Sequence, residues 1–140
     1  MSDVIAQLDA IATKIIDEFE INTPPIPIET ILQNPKPNMW AEVNVSQLTG
    51  SFLSVKEQYG PRMSLARMLA RHILNSQWGE DHQLTTLINS EEMLQAFARM
   101  LIMPRDMIDS LSNSSRNPVA MSMHFEVTES EAHARLLEIS

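Results

Sequence analysis

Between Arg62 and Leu74 the apolar residues return at the spacing of a helix, and this stretch constrains the chain most. Leu65, Leu69, His72 and Ile73 fall on one side, which predicts a helix packed inward. Arg67, Arg71 and Asn75 follow one another four apart and form a polar stripe on the other side. The Ser64 hydroxyl is placed to cap the start.

The segments on either side predict more helix. Val4, Ile5, Leu8, Ile11, Ala12, Ile15 and Phe19 make an apolar face over residues 3–20, with Asp3 as its cap. Thr23-Pro24-Pro25-Ile26-Pro27 breaks that helix, because proline lacks an amide hydrogen and restricts its neighbour. A short helix is expected from Ile28 to Gln33, ended by Asn34-Pro35-Lys36-Pro37-Asn38. Alternation in Met39–Val45, and Phe52, Leu53 and Val55 within Gly50–Lys56, predict two short strands joined by a turn at Gln47-Leu48-Thr49-Gly50. Ser76–Leu87 is polar and reads as a loop. Ser90 caps a helix from Glu91 to Met103, with Met93, Leu94, Phe97, Met100 and Leu101 inward and two glutamates at its positive end. Short helices are expected at Asp106–Leu111, Val119–His124 and Thr128–Ile139, with a polar turn at Ser112–Asn117.

A chain of 140 residues suits one domain with one core. No apolar run approaches the roughly 20 residues that span a bilayer. The start, Met1-Ser2-Asp3-Val4, lacks the pattern of a signal peptide, so a cytoplasmic location is expected. There is no cysteine, which excludes disulfides, thiolate metal sites and a cysteine nucleophile. The net charge is −8, with −5 in residues 1–61 and −3 in residues 62–140. Such a chain repels phosphate backbones, which argues against nucleic-acid binding. The ten methionines fit a gap-filling core or an adaptable partner surface.

Three motifs carry a resemblance. The segment from Arg62 resembles the zinc helix of ImmA/IrrE-type metallopeptidases, roughly Arg-Phe-Thr-Leu-Ala-His-Glu-Leu-Gly-His, with Arg62, Ser64, Leu65, Ala66 and Leu69 in register. Phe97, Ala98, Leu101, Ile102, Met103 and Pro104 match the second motif, Glu-Ala-Asn-x-Phe-Ala-x-x-Leu-Leu-Met-Pro. Phe125-Glu126-Val127-Thr128 and then Arg135-Leu136 resemble the family's ending. Pro24-Pro25-Ile26-Pro27-Ile28 and Leu48-Thr49-Gly50 stand where similar elements precede the zinc helix, so the likeness spans nearly the whole chain. It implies a single α+β domain, zincin-like, helix-rich with a small sheet.

The resemblance carries the scaffold without the chemistry. The two zinc-binding histidines align with Arg67 and Arg71, the general-base glutamate with Met68, and the third ligand with Met93. Catalytic zinc needs three ligands and an open position for water, and a carboxylate to take that water's proton. A guanidinium cannot ligate a cation, and a thioether cannot accept the proton. Eleven residues between Gly50 and Arg62 are also short for the strand that holds substrate in such peptidases. The four histidines form no pair four apart, and no Gly-x-Ser-x-Gly occurs. The expectation is therefore a catalytically inactive, cofactor-free relative that binds a protein or peptide in a regulatory, prophage or mobile-element setting. Relatives commonly act on a helix-turn-helix repressor, which the resemblance implies as a partner.

Alternatives stay open. One is a hydrolase with a relocated site, and another is a structural subunit that self-associates. Arg67 and Arg71 are candidates to bind an anion, to line a solvated face, or to pair with Glu91, Glu92 or Asp81. A structural version has the two cations joining two helices, with Met68 and Met93 filling the vacated space. Residues 119–139 have helix-turn-helix spacing, with Glu126 at the turn. The second helix carries Glu129, Glu131 and Glu138 against Arg135, which disfavours DNA.

Overall fold

The computed structural model describes residues 2–43 and 60–140. Helix α1 (Ser2–Glu18) is followed by α2 (Ile28–Gln33) and α3 (Gly60–Leu74). Two short helices, α4 (Gln77–Asp81) and α5 (Leu84–Leu87), lead into α6 (Glu91–Ile102) and α7 (Arg105–Asp109). A 3-10 turn at Asn113–Ser115 precedes α8 (Pro118–Phe125) and α9 (Glu129–Ile139). Among the described residues no helix is long and apolar enough to cross a membrane.

Helices α3 and α6 form the central pair, with α1 laid on α6, α2 on α3, and α9 packed on α8. Leu65, Leu69 and Ile73 of α3 meet a core that includes Leu94, Phe97, Met100 and Leu101 of α6. Phe97 and Leu69 are fully buried, as the helical spacing requires. Helix starts follow the caps. The hydroxyls of Ser90 and Thr128 accept from the amides of Met93 and Glu131, and the Asn117 side chain accepts from Ala120. Ser64 is not a cap: α3 begins four residues earlier, at Gly60, and Ser64 lies exposed within it. Asp3 likewise sits in the first turn of α1 rather than before it.

The fold departs from the expected α+β class. No strand occurs among the described residues, and the architecture they form is helical. Over residues 39–43 the expected strand is replaced by a coil that closes the end of α2. Asn38 is left-handed at φ 72, and Met39 N–H turns back to the Lys36 carbonyl at 3.0 Å. The Leu32 carbonyl, near the end of α2, accepts from the Trp40 indole at 3.0 Å and from the Val43 amide at 3.4 Å. Among the described residues the backbone of this segment is thus tied to a helix end, not to a neighbouring strand. Residues 44–45, the turn at 47–50 and the second expected strand, 50–56, lie outside the described residues.

The polar stretch 76–87, expected as loop, is mostly helical. The Ser76 hydroxyl donates to the Ile73 carbonyl at 2.7 Å and accepts from Gly79 N–H at 3.1 Å, so it ends α3 and starts α4 together. A Cβ on Gly79 would lie 2.1 Å from the Ile73 carbonyl oxygen, so this junction requires glycine. Trp78 and Leu84 are buried and anchor the two short helices. The Trp78 indole donates to Glu18, and its ring stacks on His82 at 3.8 Å.

Arg62 ties two distant segments, at Ile26 and at residues 125–126, to the start of α3. Its Nε donates to the Glu126 carbonyl at 3.0 Å, and its Nη2 donates to Ile26 at 3.1 Å and Phe125 at 3.2 Å. Phe125 and Glu126 are the end of α8, where Glu126 is left-handed at φ 58. At Phe125 and Glu126 the guanidinium therefore supplies donors to carbonyls at a helix end.

Candidate functional site

Residues Ser64, Arg67, Met68, Arg71, His72 and Asn75 line a groove of about 420 Å³ along α3. They stand at intervals of three or four residues, or directly adjoin such a position, and so share one helix face. Leu65, Leu69 and Ile73, buried on the opposite side, fix which face turns outward. The arginine stripe is thus set by the same periodicity that builds the core.

The two guanidiniums converge on one carboxylate. Arg67 Nη2 donates to Glu91 Oε2 at 2.9 Å, and Arg71 Nη2 donates to the same oxygen at 3.1 Å. Arg71 Nη2 also lies 3.4 Å from Oε1. Of the three candidate partners, Glu91 makes the contact, while Glu92, one step round α6, lines a different groove. Glu91 stands in the first turn of α6, behind the Ser90 cap, where the helix end favours negative charge. Hydrogen bonds from Arg67 and then Arg71 hold its carboxyl below the ordinary value. The side chains are 47%, 50% and 63% exposed, in the order Arg67, Arg71, Glu91. At that exposure solvent screens the pairs and they contribute little to stability.

His72, expected on the inward side with Leu65, Leu69 and Ile73, is only half-buried and belongs to the groove, because its position lies at the border between the two faces. Partial burial holds its imidazole below the ordinary value, which favours the neutral form. His82 is engaged with Trp78 through its ring face and through Nδ1, 2.7 Å from the Trp78 carbonyl.

The four residues aligned with a zinc site do not gather at one place. Arg67, Met68 and Arg71 share the α3 groove. Met93 lines a second groove of about 420 Å³ with Val4, Ile5, Thr86, Leu87, Asn89, Ser90 and Glu92. The two grooves flank the start of α6, one on the Glu91 side and one on the Glu92–Met93 side. The donors do not fit zinc: the positions one turn apart on α3 hold permanently charged guanidiniums already bonded to a carboxylate. Among the described residues, no group of three or more His, Asp or Glu side chains is placed to hold a metal ion.

Two further features escaped the sequence reading. One is the Arg62 clasp, signalled only by its place in a motif. The other is a buried ionic cluster. Arg135, fully buried, bonds Asp9 through both terminal nitrogens and the Met103 carbonyl through Nε at 3.0 Å. Nearby, Arg99 bonds Glu138 at 2.7 Å and Glu131 at 3.1 Å. Burial alone would lower the Arg99 pKa, but the Glu138 and Glu131 carboxylates outweigh it and hold it above its ordinary value. The single arginine of α9 is therefore committed to the core, and the helix-turn-helix pair has no arginine to offer DNA on that helix.

Comparison with protein-family models, with curated proteins and with solved structures returned no match.

Proposed function

We propose that this chain is a non-catalytic, regulatory protein- or peptide-binding module, and that its binding face is the groove along α3. The observation that carries the reading is the pair Arg67 and Arg71. Both are about half exposed and aim at one point, yet among the described residues each is engaged only through Nη2. A guanidinium carries five N–H donors, so donors remain beyond those on Glu91, and two arginines lining one groove suit a planar anion such as a carboxylate. Met68 beside the fork supplies an adaptable apolar contact. The place of Arg67, Met68, Arg71 and Met93, aligned with the ligands and base of ImmA/IrrE-type peptidases, supports a pseudoenzyme. The same resemblance makes a helix-turn-helix repressor the first partner to test.

The test is differential capture. The intact chain, the Arg67→Ala/Arg71→Ala variant and an Arg116→Ala control are immobilised and exposed to a purified helix-turn-helix repressor from the same genome. Retention by the wild type and the control, with loss by the double variant, is the expected result. Equal retention by all three, or none by the wild type, would remove the α3 groove as the binding face for that partner.

A further inference from the structure

We propose that Glu91 is a stand-in for the ligand: the Arg67–Arg71 fork seats a carboxylate from an acidic residue of the partner, and Glu91 occupies that seat until the partner arrives. This rests on the reading of the α3 groove as the binding face, and it names both the ligand's chemistry and the contact that regulates its entry.

The seat is already defined by what fills it. Two Nη2 groups from positions one turn apart meet a single oxygen, Glu91 Oε2, at 2.9 and 3.1 Å. The geometry is that of one carboxylate between two guanidiniums, joined by charge-assisted hydrogen bonds. A carboxylate of similar size from outside would make the same bonds.

Glu91 is placed to leave. Its side chain is 63% exposed, so exchange requires no opening of the core. Once displaced, it remains in the first turn of α6, where the helix end still favours its charge. Exposed pairs of this kind contribute little to the fold, so little resists the exchange.

The surroundings narrow the ligand. Two cations against one anion leave a local positive charge on a chain of net −8. The fork attracts one carboxylate while the rest of the molecule repels a polyacidic tract. Ser64, Met68, His72 and Asn75 complete the groove with uncharged groups, given a neutral imidazole. From Ser64 to Asn75 the helix rises about 16 Å. That length matches about five residues of extended peptide. The ligand is therefore a short extended segment with one central acidic residue and uncharged neighbours.

The experiment uses fluorescence anisotropy with a labelled, end-blocked peptide Ala-Leu-Glu-Ser-Leu, and the same peptide with Gln at its centre. The proteins are the wild type, Glu91→Gln, and Arg67→Ala/Arg71→Ala, each checked for helical content by circular dichroism. The Glu peptide is expected to bind Glu91→Gln about three- to five-fold more tightly than the wild type, because an exposed internal competitor is removed. The Gln peptide and the double-arginine variant should show little binding. Equal or weaker binding by Glu91→Gln would overturn the stand-in while leaving the groove as a binding face. Equal binding of the Glu and Gln peptides would overturn the carboxylate seat alone. Binding of neither peptide by any variant would overturn the seat and count against the groove as well.

Discussion

Asp9 and Arg135 lie 126 positions apart and meet as an ion pair in the protein interior. Asp9 sits on α1 and Arg135 on α9, with Arg135 wholly shielded from water and Asp9 5% exposed. Arg105 adds a third partner, its Nη1 3.8 Å from Asp9. Arg135 Nη1 also lies 3.5 Å from Glu138 Oε1, a buried oxygen without a hydrogen bond, which that charge compensates. Replacing Asp9 leaves a guanidinium buried without its main counter-charge. Asp9→Ala should therefore cost about 3–5 kcal/mol in urea unfolding. The Asp9→Leu/Arg135→Met pair should recover only part of this, since Glu138 then loses its compensation. A cost below about 1 kcal/mol for Asp9→Ala would show that the pair is not held as described.

Gly79 makes a second prediction about the fold. The nearest obstacle to a side chain there is backbone, the Ile73 carbonyl, which cannot swing away as a flexible side chain would. Gly79→Ala should destabilise by about 1–3 kcal/mol, read as a fall in Tm, by prising α4 from the end of α3. An unchanged Tm would contradict the close approach.

The Glu91 carboxyl offers a prediction in pH. Hydrogen bonds from Arg67 and Arg71 favour its charged form, so its folded pKa lies below the ordinary 4.5. A lowered folded value means that the stabilisation is present above the ordinary value and disappears as pH falls through the lower one. Carboxyl-carbon NMR should give a midpoint below 4.5 in the wild type, moving up towards 4.5 in Arg67→Ala/Arg71→Ala. Identical midpoints would show that the arginines do not hold the carboxylate in solution.

Zinc gives the fourth. After purification without chelator and titration with zinc, plasma mass spectrometry should find no stoichiometric metal, and one equivalent of zinc should leave Tm unchanged. One tightly held zinc would mean that histidines such as His72 and His82 build a site the present geometry does not have, and the question of catalysis would reopen.

Much of the helical pattern was legible in the sequence. The face of α3 could be read because burial and 3.6-residue spacing state the same thing at Leu65, Leu69 and Ile73. The bounds of α2 were found at Ile28 and Gln33 because prolines stand on both sides. Residues 39–43 misled for a physical reason: alternation is a rule about sheet faces, and here the chain uses Trp40 and Val43 to cap a helix end instead. Residues 76–87 misled because short helices need few apolar residues when a serine cap and one buried tryptophan anchor them. Within the candidate site, the arginine stripe was readable from spacing. That Glu91 rather than Glu92 or Asp81 completes it depends on how α3 lies against α6, and that is not local information. The same holds for Arg135, which looks like a solvated charge until its remote counter-ion is in place.

That remote pairing also sets an order of events during synthesis. A ribosome releases α1 early; the half-exposed Arg105 can reach Asp9 first, but the buried arginine that encloses its carboxylate is made later. At about 5–20 residues per second, the 126 positions between them correspond to roughly 6–25 s. Through that interval the first helix has no buried home for its carboxylate. Of the described helices, α9 is the one whose arrival completes the burial of Asp9.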